Sequence, residues 1–321
     1  MSPKDINSIL GEDLEAVKEL IHNRLSSQVG LLQQINQGLL ANPGKLLRPS
    51  LCLFMARACG KPNEYSRLFA AAVEMLHNST LLHDDVADES DTRRGVPTVM
   101  STHGPVPAVL VGDFWLARTL DLLQESEHTE WGLRAFAKTL TDLSEGEMLQ
   151  QEKAFSGNIS EEDYFKIIYC KTASLFELSC TAAAKSVDAP PEFFSAASDY
   201  GKAVGMAYQI KDDILDYDGF DLGKPVGVDL QEGKITLPLL GALKGASNAD
   251  EIRQMVLDIP SNPQNRQVVA DFVKTGGGVQ YAQEVLRDYV SKAIDALSKL
   301  PPSKERDYLE QFARLNEMRT K

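Results

Sequence analysis

Between Pro107 and Pro190 the chain carries no proline, and the stretch is rich in Leu, Ala, Glu and Lys. Proline blocks helix interiors and these residues favour them, so the middle of the chain is expected to be helical. Upstream, Leu10, Leu14, Val17, Ile21 and Leu25 recur at steps of four and three, one apolar face of an amphipathic helix that starts near Pro3 and Asp5. Nowhere does an apolar/polar alternation of strand type persist. Loop signals fall at Asn42-Pro43-Gly44, Gly60-Lys61-Pro62-Asn63, Arg94-Gly95-Val96-Pro97, Ser156-Gly157-Asn158, Ala189-Pro190-Pro191, 219–233 and Ser261-Asn262-Pro263. They leave helices of roughly 12 to 30 residues, longer than the usual 11–12. Such lengths suit a bundle around a central cavity. No linker-like shift in composition interrupts the 321 residues, so the expectation is one all-α domain.

Within this helical sequence an acid pattern occurs twice, as Asp84-Asp85-Val86-Ala87-Asp88 and as Asp212-Asp213-Ile214-Leu215-Asp216. Each is set among apolar residues, Leu81-Leu82 before the first and Ile210, Ile214 and Leu215 around the second. Like charges four apart destabilise a helix, and carboxylates in apolar surroundings need a partner. A bound cation meets both needs. Two such walls facing one cavity would hold Mg²⁺, which takes some carboxylates and leaves its other positions to water and phosphate oxygens.

Basic residues stand beside both acid clusters. Arg93-Arg94 follows the first, and Lys224 and Lys234 follow the second in a Gly-rich loop. Lys45 and Arg48, three apart, open an apolar helix, and a helix start attracts anions. Lys171-Thr172 offers an ammonium and a hydroxyl, and His77 lies two helical turns before Asp84. Carboxylates for a metal next to cations for phosphate oxygens are the ligands of a metal–diphosphate complex. With net charge −13 and pI near 4.9, the general surface is unsuited to nucleic acid or anionic membranes. Cys52, Cys59, Cys170 and Cys180 have no metal-ligand spacing and read as buried thiols of a reducing compartment, the cytoplasm. No apolar run reaches membrane-spanning length, and no Ser/His/Asp or Cys/His nucleophile set is recognisable.

Taken in order, these motifs resemble the trans-isoprenyl diphosphate synthases, the head-to-tail prenyltransferases. The resemblance covers residues 44–238 and rests on HDDVADESDTRRG and on YQIKDDILDYDG…GKPVGVDLQEGKITLPL. It implies an isoprenoid synthase-type bundle and a homodimer. By the same resemblance Asp84, Asp85, Asp88, Asp212 and Asp216 ligate Mg²⁺, with Asp213 in support. Lys45, Arg48, His77 and Arg94 then form the site for isopentenyl diphosphate. Arg93, Lys171, Gln209, Lys224 and Lys234, with Thr172 beside them, bind the allylic diphosphate. Pro43, Tyr208 and Met100 depart from the family's usual Gly, Phe and Asn, and none of these removes a ligand.

The implied reaction adds isopentenyl diphosphate units to an allylic diphosphate such as farnesyl diphosphate. Residues just before the first Asp would set the floor of the product cavity. Thr80 and Ser79 are small there, followed upstream by Leu76, Met75 and Ala72. At about 1.5 Å per residue the stretch from Thr80 to Ala72 adds roughly 12 Å of depth. That favours a product of about C30 to C45, octaprenyl foremost, with Phe114 and Trp115 as candidate floor residues. The alternatives are a geranylgeranyl diphosphate synthase, a class I terpene cyclase, against which the intact second cluster argues, and a non-catalytic partner subunit. A phosphohydrolase of the His-Asp type needs more metal-binding histidines than the five present.

Overall fold

The computed structural model describes residues 3–93, 95–218 and 228–318. In chain order the helices are α1 (Pro3–Arg24), α2 (Gly30–Leu40), α3 (Leu47–Cys59), α4 (Glu64–Ala87), α5 (Val99–His103), α6 (Pro105–Leu123), α7 (Thr129–Ser156) and α8 (Glu161–Ile168). A π-helical turn, Tyr169–Ala173, joins α8 to α9 (Ser174–Ser186). Then follow α10 (Pro191–Asp218), α11 (Val228–Gln231), α12 (Leu237–Leu243), α13 (Ala249–Leu257), α14 (Asn265–Thr275), α15 (Gly278–Leu297) and α16 (Lys304–Met318). Among the described residues the only sheet is an antiparallel ladder of β1 (Thr92–Arg93) and β2 (Val96–Pro97). The fold is all-α.

Lengths run from 4 residues in α11 to 28 in α7 and α10, wider than the sequence pattern suggests. Short helices gather toward the C-terminal part, where Gly245, at φ +75, and Gly276 interrupt the chain. The proline-free stretch is also cut. Gly157, at φ +63, ends α7, with its N–H bonded to the Lys153 carbonyl, and Asp188 turns the chain through φ +48 after α9. A left-handed residue stops a helix as surely as proline does.

The chain divides into two compact units. The first comprises the described residues of Met1–Ala137 together with Leu178–Ala197 and Leu300–Leu309. In it the apolar stripe of α1 is buried, Leu10, Leu14, Val17, Ile21 and Leu25 each at most 4% exposed. The α1 carboxylate Asp13 accepts from Arg57 on α3 and Arg67 on α4, at 2.6 and 2.8 Å. Burial alone would raise its pKa, but the two guanidinium groups hold it below the ordinary value. The start of α4 is closed by a capping box between Asn63 and Ser66. Phe69 on α4 packs edge-on against Trp131 and stacks on Phe136.

The second unit comprises Lys138–Glu177, Ser198–Lys299 and the described residues of Glu310–Lys321. Its α8 begins with a second capping box, Ser160 and Asp163. The four cysteines are free and buried, in keeping with the thiol reading. Among the described residues no helix is long and apolar enough to cross a membrane.

Candidate active site

The first acid cluster lies at the C-terminal end of α4. Asp84 and Asp85 occupy its last turn, and Asp88 is the C-cap, with its N–H bonded to the Asp84 carbonyl at 2.8 Å. A helix C-terminus carries partial negative charge, so the position disfavours all three carboxylates. Asp85, 5% exposed, accepts from Arg93 Nε at 2.6 Å. Burial raises its pKa, Arg93 opposes this, and Asp88 adds to it. The chain reaches Arg93 by turning through Glu89 at φ +48 and entering the β1–β2 ladder. Arg94 lies outside the described residues.

In the same unit Arg48 and His77 come together, Nη1 to Nε2 at 3.0 Å. The first turn of α3 presents Arg48 two residues after its N-cap Leu46, which is left-handed at φ +48. Lys45 is exposed just before it. Of the residues expected to set product length, Met75, Leu76 and Ser79 are each at most 1% exposed. Ser79 Oγ donates to the Gly112 carbonyl of α6 at 2.9 Å, and Thr80 Oγ1 to the His77 carbonyl. Phe114 is half-buried beneath Arg118. Trp115 donates to Asn36 at 2.9 Å and lines a cavity of about 300 Å³ with Ile21, Leu39, Leu40, Leu46, Glu74 and Asn78.

The second acid cluster lies in the last turns of α10, in the second unit. Asp213 is 2% exposed; its Oδ2 accepts from the Tyr164 hydroxyl at 2.6 Å and its Oδ1 from Gln209 Nε2 at 2.9 Å. Gln209 accepts in turn from Thr172 at 2.8 Å. Burial and the charge of Asp229 raise the Asp213 pKa well above the carboxylate range, against the two hydrogen bonds. Asp216 accepts from the Asp229 N–H at 3.3 Å, and burial, then Asp216, pushes the Asp229 carboxyl up to about 6. Asp212 and Asp216 are half-buried.

Lys171 and Thr172 sit in the π turn. That wider turn is pressed between two glycines. A Cβ on Gly146 of α7 would lie 2.6 Å from the Cys170 Cβ, and one on Gly205 of α10 would lie 2.6 Å from the Ala173 Cα. Lys171 pairs with Glu147 of α7 at 2.5 Å, and Lys234 pairs with Glu232. Lys171, Thr172, Gln209, Asp213 and Lys234 line one cavity of about 110 Å³, with Lys153, Tyr164, Asp229 and Thr236 among its other walls. Thr236 and Tyr217 are both buried, at 7% and 0% exposed. Lys224 lies outside the described residues.

Four of the residues expected around the allylic diphosphate thus share one cavity. Tyr164, Glu147, Asp229 and the two glycines were not anticipated. Asp229 lies inside the quoted GKPVGVDLQEGK segment and could have been found there; a tyrosine seven before Lys171 gives no signal by spacing alone. Oxygen donors are the right chemistry for a hard divalent cation, and burial holds the pKa values of Asp85 and Asp229 above the ordinary carboxylate value. Among the described residues no group of three or more His, Cys, Asp or Glu side chains is arranged to hold a metal ion.

The model of the family described as polyprenyl synthetase matches residues 29–275. An all-trans-nonaprenyl-diphosphate synthase (geranyl-diphosphate specific) of Rhodobacter capsulatus is 38% identical over 97% of this chain and 96% of its own length. An octaprenyl diphosphate synthase of Escherichia coli is 34% identical over 96% of each chain. Among solved structures, a decaprenyl diphosphate synthase from Rhodobacter capsulatus superposes with a TM-score of 0.93 at 32% identity over 100% of both chains. A polyprenyl synthase from Caulobacter crescentus, complexed with calcium and isoprenyl diphosphate, gives 0.90 at 33% identity over 100% of this chain and 98% of that one. With matches of this extent, the chain belongs to the polyprenyl synthetase family.

Proposed function

We propose that the protein is a long-chain trans-polyprenyl diphosphate synthase, adding isopentenyl diphosphate head-to-tail to an allylic diphosphate. The observation that carries this reading is the cavity shared by Lys171, Thr172, Gln209, Asp213 and Lys234 beside the second acid cluster. The nonaprenyl and octaprenyl products named for the relatives support the chain length.

Asp84, Asp85, Asp88, Asp212 and Asp216 would hold Mg²⁺, which when bound supplies positive charge to diphosphate oxygens. Lys171 and Lys234 bring ammonium groups to the leaving diphosphate, and Thr172 and Thr236 bring hydroxyls. Ion pairing with Glu147 and Glu232 keeps the two lysines in place until substrate arrives. The bond between the allylic C1 and its oxygen breaks, and the electron pair leaves with diphosphate. The double bond of isopentenyl diphosphate attacks C1, and loss of a proton restores an allylic diphosphate one C5 unit longer. Lys45, Arg48, His77 and Arg94 serve to hold isopentenyl diphosphate during this step. Both acid clusters are required.

We also infer a homodimer. Val106, Val109, Leu110 and Leu120 form an exposed apolar stripe along one face of α6, each at least 39% exposed, which a second copy would cover. Light scattering on the purified protein tests this: a monomer mass rules it out.

The function is tested by mass spectrometry of products formed from farnesyl diphosphate, excess isopentenyl diphosphate and Mg²⁺. The expected ladder ends between about C30 and C45, a cavity depth set by about 1.5 Å per helical residue. A ladder that stops at one addition would make it a geranylgeranyl diphosphate synthase, and no product at all would favour a partner subunit.

A further inference from the structure

Both carboxylate oxygens of Asp213 are engaged by neutral donors. Tyr164 on α8 supplies one hydrogen bond, at 2.6 Å, and Gln209 the other, at 2.9 Å. Gln209 is itself oriented by Thr172 of the π turn, at 2.8 Å. The chain Tyr164–Asp213–Gln209–Thr172 therefore ties α8, α10 and the π turn that bears Lys171 into one hydrogen-bonded circuit, all within the second unit. Tyr164 is 2% exposed, and its ring packs edge-on against Phe165.

We infer that Tyr164 is a positioning residue for catalysis: its hydroxyl anchors Asp213 and thereby keeps the second acid cluster and Lys171–Thr172 in the arrangement that accepts a metal–diphosphate group. This rests on the proposed function. Buried partners that orient metal-binding carboxylates act through geometry, and losing one typically weakens metal affinity or activity about 10- to 100-fold. Without the Tyr164 hydroxyl, Asp213 Oδ2 is left buried with no donor. It would then rotate or draw a nearby cation, and Gln209 and Thr172 would follow.

Tyr164→Phe removes the hydroxyl and keeps the ring. Three readouts are needed: thermal unfolding, calorimetric affinity for inorganic pyrophosphate with Mg²⁺, and steady-state kinetics with both substrates. We expect pyrophosphate affinity and kcat to fall about 10- to 100-fold, KM for isopentenyl diphosphate to stay within about twofold, and the unfolding midpoint to fall by only a few degrees, as one buried acceptor left without a donor requires. A double-mutant cycle with Asp213→Asn should show strong non-additivity, because the two act through one bond. Unchanged pyrophosphate affinity, additive effects, or an equal loss for both substrates with a much lower midpoint would each overturn the inference. A wild-type protein that binds pyrophosphate yet makes no prenyl product would defeat the proposed function and leave the binding comparison intact.

Discussion

The two acid clusters share the pattern Asp-Asp-x-x-Asp, yet the chain gives them different company. At the end of α4, the buried Asp85 has a cationic partner, Arg93. At the end of α10, the buried Asp213 has, among the described residues, the neutral donors Tyr164 and Gln209, and a further acid, Asp229, acts against it. The first cluster is partly compensated from within the protein. In the second, Asp213 is braced by hydrogen bonds from neutral groups. The two buried carboxylates thus meet different partners, Arg93 eight residues on for Asp85 and Tyr164 49 residues back for Asp213.

The sharpest test of the comparison is to remove, from each cluster, one carboxylate proposed to hold metal. Asp84→Ala and Asp212→Ala should each lower kcat by roughly 10³-fold, the scale of losing a preorganised charge-stabilising group; a normal rate for either would show that only one cluster serves the reaction. Next come the cations. Lys171→Ala should raise KM for the allylic diphosphate about 10- to 100-fold, as loss of a charge-assisted contact does. Arg93→Ala should do less, because its charge answers the buried Asp85, whereas the Glu147 partner of Lys171 is only half-buried. Equal effects in the paired kinetic measurements would break the contrast.

Two substitutions probe the supporting helices. Gly146→Ala forces a Cβ to within 2.6 Å of Cys170; overpacking of this kind costs about 1–3 kcal/mol, read as a lowered unfolding midpoint together with weaker allylic binding. Ser79→Phe, beside the first cluster, should shorten the product ladder in mass spectra; an unchanged ladder would place the floor elsewhere. The smallest effect lies outside both clusters. Asp163 is held at a pKa of about 2 by the hydroxyl and N–H of Ser160, with Lys153 assisting. Its pKa is lowered by folding, so its contribution is present above the ordinary carboxylate value of 3.8 and is lost as pH falls toward about 2. Solvent screening holds it below about 1 kcal/mol. Acid unfolding of Asp163→Asn should therefore flatten slightly between those two values.

Much of the site was legible before any coordinates. Charged residues in apolar sequence are costly, so Asp84, Asp85, Asp88, Asp212, Asp213 and Asp216 declare themselves as candidates, and the resemblance to the prenyltransferases adds Lys171, Thr172, Gln209 and Lys234. Less legible were the residues whose meaning depends on what lies across from them. Gly146 and Gly205 look like ordinary helix glycines until the Cys170 and Ala173 backbones are seen against them. Tyr164 looks like a core aromatic until its hydroxyl meets Asp213.

By itself, the order of residues determined the helical class, the two acid clusters and the cations that accompany them, because periodicity and local charge are properties of neighbours in the chain. Only the tertiary structure decided which carboxylate is bonded to arginine and which to tyrosine, and how a π turn can carry Lys171 between two glycines. Those outcomes depend on the distances between helices, and packing sets those distances by excluding every atom that does not fit.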